Sequence, residues 1–129
     1  MIPPLQLENN GVPVYVQIRD QMLQAIGTGA LSPGEQMPTM RQVAVTLKVD
    51  LNTVRHAYTD LEQTGAIVIL RARGTYVAER PPPIDVTRQA KRVESLAQQA
   101  IAMSNATGVD PFDVAQEILR ISKRQRSSK

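Results

Sequence analysis

The stretch Thr39–Thr64, TMRQVAVTLKVDLNTVRHAYTDLEQT, decides the fold because it holds two helical patterns separated by a short turn. Apolar residues at three- and four-residue steps predict a first helix up to Leu47, with Thr39 as its N-cap. Residues 48–50 form the turn. A longer helix is then predicted from Leu51 to Thr64. Two helices joined in this way are typical of a helix-turn-helix.

The longer helix has two chemically different faces. Successive residues of a helix are rotated by about 100°, so Val54, Ala57, Tyr58 and Leu61 fall together and are predicted to face a core. The opposite face has little aliphatic bulk, and such a face can enter the major groove of DNA and read base edges. The alternative is a merely solvated face. The residues on it are Asn52, His56, Thr59 and Gln63, flanked by Thr53 and Arg55.

Two arginines flank the predicted motif. Arg41 lies at the start of its first helix and Arg55 lies one turn into its second. A guanidinium group offers a planar fork for guanine or for phosphate. The alternative is that either arginine forms a surface ion pair with Asp50 or Asp60.

Further elements complete a winged helix-turn-helix. The apolar spacing from Val14 to Thr28 predicts a preceding helix. Two short runs, Ile67–Leu70 and Thr75–Ala78, predict a β-hairpin whose tip carries Arg71 and Arg73. A basic hairpin beside a helix-turn-helix can reach neighbouring phosphates or the minor groove, although a solvated turn is the alternative. The predicted fold class is therefore mainly α with a small β-hairpin wing, with the DNA-binding domain at residues 1–80.

Three prolines at residues 81–83 predict a linker. Residues 84–122 are predicted to form two helices, Val86–Ser104 and a second that starts at Pro111 and ends near Ser122, as a dimerisation region. Residues 123–129 are interpreted as a basic tail, either a frayed terminus or an additional phosphate contact. Two short amphipathic helices need a partner to bury their apolar faces. The side chains assigned to the dimer are Val93, Leu96, Ala97, Ala100, Met103, Val114, Ile118 and Leu119.

Composition removes several classes of function. The chain has 129 residues, no cysteine and a single histidine, His56, which excludes thiolate chemistry and histidine-cluster metal sites. No cofactor is expected, and an enzyme is disfavoured because no nucleophile–base pair or phosphate loop is visible. No segment approaches the roughly 20 apolar residues that span a bilayer, and no secretory signal is recognisable, so a cytoplasmic protein is expected. The net charge of +3 arises entirely from residues 81–129.

Several spaced blocks resemble the GntR family of bacterial transcriptional regulators, in register over about residues 11–78. The sequence YVQI at residues 15–18 is similar to that of the YtrA subfamily. Met37, Thr39 and Ala72 replace the leucine, serine and wing glycine usual in the family. The blocks are GALSPG at 29–34, MPTMR at 37–41, NTVRHAY at 52–58 and GTYV at 74–77.

The resemblance implies a winged helix-turn-helix that binds operator DNA as a homodimer through its C-terminal helices. We expect a repressor acting on palindromic double-stranded DNA, and a small-molecule effector is a candidate second partner. A winged-helix adaptor that binds protein and not DNA is the alternative. The resemblance places contacts at Arg41, on residues 50–53, at Arg55 and on the wing. Together with the polar helix face, the expected DNA-binding residues are Arg41, Asp50, Leu51, Asn52, Thr53, Arg55, His56, Thr59, Arg71, Arg73 and Gly74.

Overall fold

The computed structural model describes residues 2–127, and in that range it contains five helices and one two-stranded hairpin. The described chain divides into two units between Ile84 and Asp85. The element order confirms the predicted fold class. The elements are α1 (Val14–Thr28), α2 (Met40–Leu47), α3 (Leu51–Gln63), β1 (Ile67–Leu70), β2 (Gly74–Val77), α4 (Val86–Ala106) and α5 (Pro111–Ser127).

The core of the first unit lies between α1 and α3 and is closed by α2 and the hairpin. Ile18 and Met22 of α1 are fully buried, as are Val54 and Leu61 of α3. These residues recur at helical spacing, which explains why each helix buries one face only. The buried face of α3 is therefore the face predicted from the spacing of its apolar residues.

Both helices of the central motif begin with a capped turn. The Thr39 hydroxyl accepts a hydrogen bond from the Gln42 backbone amide at 3.0 Å, and the Gln42 side chain accepts one from the Thr39 amide at 2.9 Å. This reciprocal capping box satisfies two amides that the helix itself leaves unpaired. The Asp50 carboxylate caps α3 by accepting from the Asn52 amide at 2.7 Å. The N-cap role predicted for Thr39 is confirmed.

Tyr58 fixes α3 against the chain that leads into α2. Its side chain is fully buried, and its hydroxyl donates to the Pro38 carbonyl oxygen at 2.7 Å. Burial raises the pKa of Tyr58, because the phenolate would be poorly solvated there. The neutral hydroxyl therefore remains a hydrogen-bond donor, and it holds the two helices of the motif in one arrangement.

Replacing Tyr58 by phenylalanine should lower the free energy of unfolding by about 1–2 kcal/mol, because the Pro38 carbonyl loses its buried donor. Urea denaturation followed by circular dichroism measures this loss. The matched control is Tyr76→Phe, since the Tyr76 hydroxyl donates to the Arg73 carbonyl at an exposed site. Equal losses in the two variants would contradict a special role for Tyr58.

The hairpin is anchored to the helices through the segment that precedes α2. The strands pair antiparallel, with Ile67 opposite Val77 and Leu70 opposite Gly74. Gln36 forms an isolated bridge with Tyr76, so the chain entering α2 lies along the outer edge of β2. The predicted second strand, Thr75–Ala78, was one residue late, because pairing already starts at Gly74.

Two glutamines of α1 hold the N-terminal segment in place. The buried Gln17 side chain accepts from the Glu8 amide at 2.7 Å and donates to the Glu8 carbonyl at 2.9 Å. One turn later, Gln21 makes the same pair of hydrogen bonds with Gln6, at 2.7 and 2.8 Å. The segment before α1 is therefore fixed although it contains no helix or strand.

The second unit contains α4 and α5, and it corrects two predicted boundaries. Helix α4 ends at Ala106, two residues later than predicted, and α5 continues to Ser127. The prediction of a frayed basic tail was therefore wrong for residues 123–127, while residues 128–129 lie outside the described chain. Lysine, arginine and glutamine favour helix, and basic side chains near a helix C-terminus interact favourably with its dipole.

Candidate DNA interface

The outward face of α3 is polar along its whole length. Asn52, Arg55 and Thr59 are exposed, as the helical spacing predicts. The Arg55 guanidinium donates a hydrogen bond to the Asn52 side-chain oxygen, one turn earlier. This pair presents an arginine fork and an amide side by side, the two groups that bind guanine and adenine edges most often.

The start of α3 borders this surface, and the Asn52 and Thr53 amides there both donate to Asp50. Asp50 is exposed but its carboxylate is engaged in the cap, so it supports the helix start and is not a free anion. Leu51 and Thr53 are half-buried in the first turn. Amides at a helix N-terminus point outward and favour an anionic partner such as phosphate.

Arg41 lies in the first turn of α2 and is exposed. Within residues 2–127, neither Arg41 nor Arg55 forms an ion pair with Asp50 or Asp60. The Asp60 carboxylate instead accepts from the Arg19 guanidinium at 3.2 Å. The ion-pair alternative for the two arginines is therefore not realised in the described chain.

The hairpin turn exposes two arginines on either side of a strained residue. Arg71 and Arg73 are exposed, and Ala72 between them has a φ of 64°, in the left-handed region. Gly74 has a φ of 102°, and a Cβ there would lie 3.1 Å from the Gln36 side-chain nitrogen. Ala72 therefore adopts a left-handed backbone conformation, which a glycine at this position would adopt without strain.

Replacing Ala72 by glycine should raise the free energy of unfolding by about 0.5–1 kcal/mol, because the left-handed conformation costs an alanine more than the added backbone freedom costs glycine. Thermal unfolding followed by calorimetry checks this. Ala30→Gly is the matched control, since Ala30 is exposed and has no positive φ. Destabilisation by both substitutions would contradict strain at the turn.

The second unit exposes large apolar side chains along both of its helices. Leu96 and Met103 of α4 are 65% and 71% exposed, and Ile118 and Leu119 of α5 are 52% and 59% exposed. An open groove of about 400 Å³ lies between α4 and α5. It is lined almost entirely by apolar atoms, and among its walls are Ala97, Ala100, Val114 and Ile118.

No group of three histidine, cysteine, aspartate or glutamate side chains that could hold a metal ion occurs in residues 2–127. None of the helices in this range is both long enough and apolar enough to cross a membrane.

Residues 14–77, from the start of α1 to the end of β2, match the model of the bacterial regulatory proteins of the gntR family. The transcriptional repressor YtrA of Bacillus subtilis is 31% identical over 120 residues, which cover 93% of this chain and 92% of that protein. The chain belongs to the GntR family. Because the match to YtrA spans nearly the whole of both chains, the YtrA-type GntR resemblance predicted from the sequence is confirmed.

Two solved structures place this GntR chain among winged-helix proteins. YtrA from Sulfolobus acidocaldarius, a GntR-family transcription factor, is 29% identical, with a TM-score of 0.53 over 95% of this chain and 97% of that one. The AraR DNA-binding domain in complex with operator ORR3 is 28% identical, with a TM-score of 0.51 over 60% of this chain and 93% of that one. The predicted class, a DNA-binding regulator of transcription, is confirmed.

His56 is the predicted contact of this GntR protein whose side chain stacks on a ring from another helix. The imidazole is stacked on the Tyr15 ring, with centroids 3.7 Å apart and planes 10° from parallel. Neither this contact nor the Arg19–Asp60 ion pair was predicted from the sequence. The partners of each contact lie about 40 residues apart in the sequence. The only sequence signal for either contact was therefore the presence of two aromatic rings or of two opposite charges.

Proposed function

We propose that this GntR protein is a transcriptional repressor that binds a palindromic operator as a homodimer. The observation that carries the proposal is the polar outward face of α3, together with exposed arginines in the first turn of α2 and at the hairpin turn of the same unit. Such a surface combines base-reading groups with phosphate-binding ones. The name of the Bacillus subtilis relative supports repression.

The contacts divide into two kinds. Arg41, Arg55 and Asn52 offer the donors that read base edges in the major groove, and Thr59 adds a hydroxyl farther along α3. At residues 50–53, the helix N-terminus and the Thr53 hydroxyl are proposed to contact phosphate. At the wing, Arg71, Arg73 and the backbone of Gly74 supply phosphate or minor-groove contacts.

The homodimer is proposed to form through α4 and α5. Val93, Leu96 and Met103 are all more than half exposed in the single chain, which is unusual for residues of their size on one helix. A second copy that covers this surface and fills the groove beside Ala97 and Ala100 would remove them from water. Two recognition helices about 34 Å apart could then read half-sites one helical turn apart.

The test starts from DNA selection, because the operator is unknown. Wild-type protein is used to enrich binding duplexes from a random library, and the recovered consensus is measured by fluorescence anisotropy. We expect a palindromic consensus and a Kd of about 10⁻⁸ to 10⁻¹¹ M. Recovery of no consensus, with salt-sensitive binding to all duplexes alike, would refute the sequence-specific function. Binding to no duplex at all would favour the adaptor alternative.

The proposed binding of operator DNA leads to two further proposals, on repression and on where the protein acts. In a reconstituted transcription assay, the protein should lower transcript yield from a promoter that overlaps the selected operator, and a raised yield would identify an activator. Because the bacterial chromosome lies in the cytoplasm, a DNA-bound regulator is proposed to act there. Screening compounds for a shift in operator affinity tests for a small-molecule effector.

A further inference from the structure

The ring pair between Tyr15 and His56 joins the recognition helix to α1 at the surface of the first unit. His56 lies one turn after Asn52 on α3, whereas Tyr15 lies in the first turn of α1, which carries none of the proposed DNA contacts. The rings are nearly parallel at 3.7 Å between centroids. Both side chains are partly accessible, so the pair is not simply part of the apolar core.

Charged groups from both helices surround the pair. From α1, the Arg19 guanidinium lies 6.0 Å from the Tyr15 ring centroid and forms ion pairs with Asp20 at 3.0 Å and Asp60 at 3.2 Å. From α3, the other Asp60 oxygen lies 3.8 Å from the His56 Nε2. Asp60 therefore lies between Arg19 and His56, and the two helices are joined by the ring stack and by the Arg19–Asp60 ion pair.

This arrangement restricts how α3 can rotate about its own axis. The buried residues of α3 fix its inner side, but apolar contacts are non-directional and tolerate small rotations. A ring stack is directional, because displacement of either ring loses the overlap. Any rotation of α3 that shifts Asn52 and Arg55 would also disrupt the stack between Tyr15 and His56.

We propose that His56 is a positioning residue for operator recognition, which holds α3 in register through its stack on Tyr15 and does not itself read a base. The proposal rests on the proposed DNA-binding function of α3. It reassigns one residue of the expected contact set and adds Tyr15, a residue of α1, to the determinants of specificity.

A positioning role and a base-reading role for His56 predict opposite effects for two substitutions at this position. His56→Phe keeps a ring that can stack but has no hydrogen-bonding atoms, whereas His56→Asn keeps hydrogen-bonding atoms but has no ring. We expect His56→Phe to bind the selected operator duplex within about twofold of wild type. His56→Asn should bind it about three- to tenfold more weakly, the range that the energy of a lost aromatic pair converts to.

Tyr15 supplies the second half of the test. Tyr15→Leu should weaken operator binding as much as His56→Asn, and the double variant should be no weaker than either single one, because both remove the same contact. Tyr15→Phe is the matched control and should bind normally. Additive losses in the double variant, or loss of affinity in His56→Phe with retention in His56→Asn, would overturn the proposal.

The stack itself can be observed without DNA. His56 is the single histidine of the chain, so its imidazole protons give isolated NMR signals. A proton held over an aromatic face is shielded, and Tyr15→Leu should therefore move these signals downfield whereas Tyr15→Phe should not. Unchanged signals in Tyr15→Leu would show that the rings do not stack in solution and would refute the proposal.

Two controls separate this proposal from general destabilisation and from failure of the proposed function. Gln17→Ala removes a buried hydrogen-bonding side chain from the same helix and should lower stability without weakening operator binding at temperatures where the protein is folded. If it weakens binding as much as Tyr15→Leu, the positioning role is refuted. If wild-type protein prefers no duplex, the proposed function fails, whereas normal operator binding by Tyr15→Leu refutes only the role of the stack.

Discussion

Replacement of Leu96 by glutamate should weaken operator binding by about 10²–10⁴-fold, because the loss of the dimer removes the effective concentration that the second half-site provides. Leu96 is 65% exposed on α4, so the single chain can accept the substitution without losing its own core. In the proposed dimer, the same position would place an unpaired carboxylate in an apolar interface, which is strongly unfavourable.

Sedimentation equilibrium and anisotropy on the same samples test this prediction. Gln98→Glu is the matched control, since it introduces the same group on α4 but lies about 160° around the helix from Leu96. The control should remain dimeric and bind normally. A Leu96→Glu protein that remains dimeric, or that becomes monomeric and binds the operator as tightly as wild type, would contradict the proposed assembly.

Replacement of Arg41 by alanine should weaken binding to the selected operator by about 1–3 kcal/mol, the cost of a lost bidentate contact to guanine. The side chain is exposed and forms no ion pair in the described chain, so its removal should leave the fold intact. The capping box at Thr39 and Gln42 also remains, which keeps α2 in place. Anisotropy with the selected duplex and with a scrambled duplex measures both affinity and discrimination.

The two possible roles of Arg41 differ in how the scrambled duplex responds. A base contact predicts a loss on the operator that exceeds the loss on the scrambled duplex, whereas a phosphate contact predicts equal losses and a smaller salt slope. Arg88→Ala removes the same charge from α4 and should leave discrimination unchanged. Operator affinity at the wild-type level in Arg41→Ala would remove this residue from the interface.

The sequence predicts the helix-turn-helix well because its determinants are local. The spacing of Val54 and Leu61 defines the inner face of α3, and Thr39 and Asp50 mark the helix starts through caps that act within three residues. The end of α5 was mispredicted because a polar, basic sequence is compatible with both a helix and a frayed terminus. Propensity alone does not separate these outcomes.

The surroundings of His56 could not be predicted because they depend on contacts between distant residues. Its helical position is evident from the sequence, but the identity of the ring opposite it depends on how α1 crosses α3. The same holds for Asp60, which the sequence offers as a partner for Arg55 but which pairs with Arg19. A charged residue has several possible partners within reach, and only the packing of the helices selects one.

Gln17 and Gln21 of α1, which bond to the backbone of Glu8 and Gln6, should slow amide hydrogen exchange in the N-terminal segment. Because the amides of Gln6 and Glu8 donate to side chains of α1, both should exchange with deuterium slowly, although they lie outside any helix or strand. Hydrogen–deuterium exchange measured by NMR should show protection at these alternate positions, which Gln17→Ala removes at Glu8. These amides should open together with α1, so they report on the cooperative unfolding of that helix.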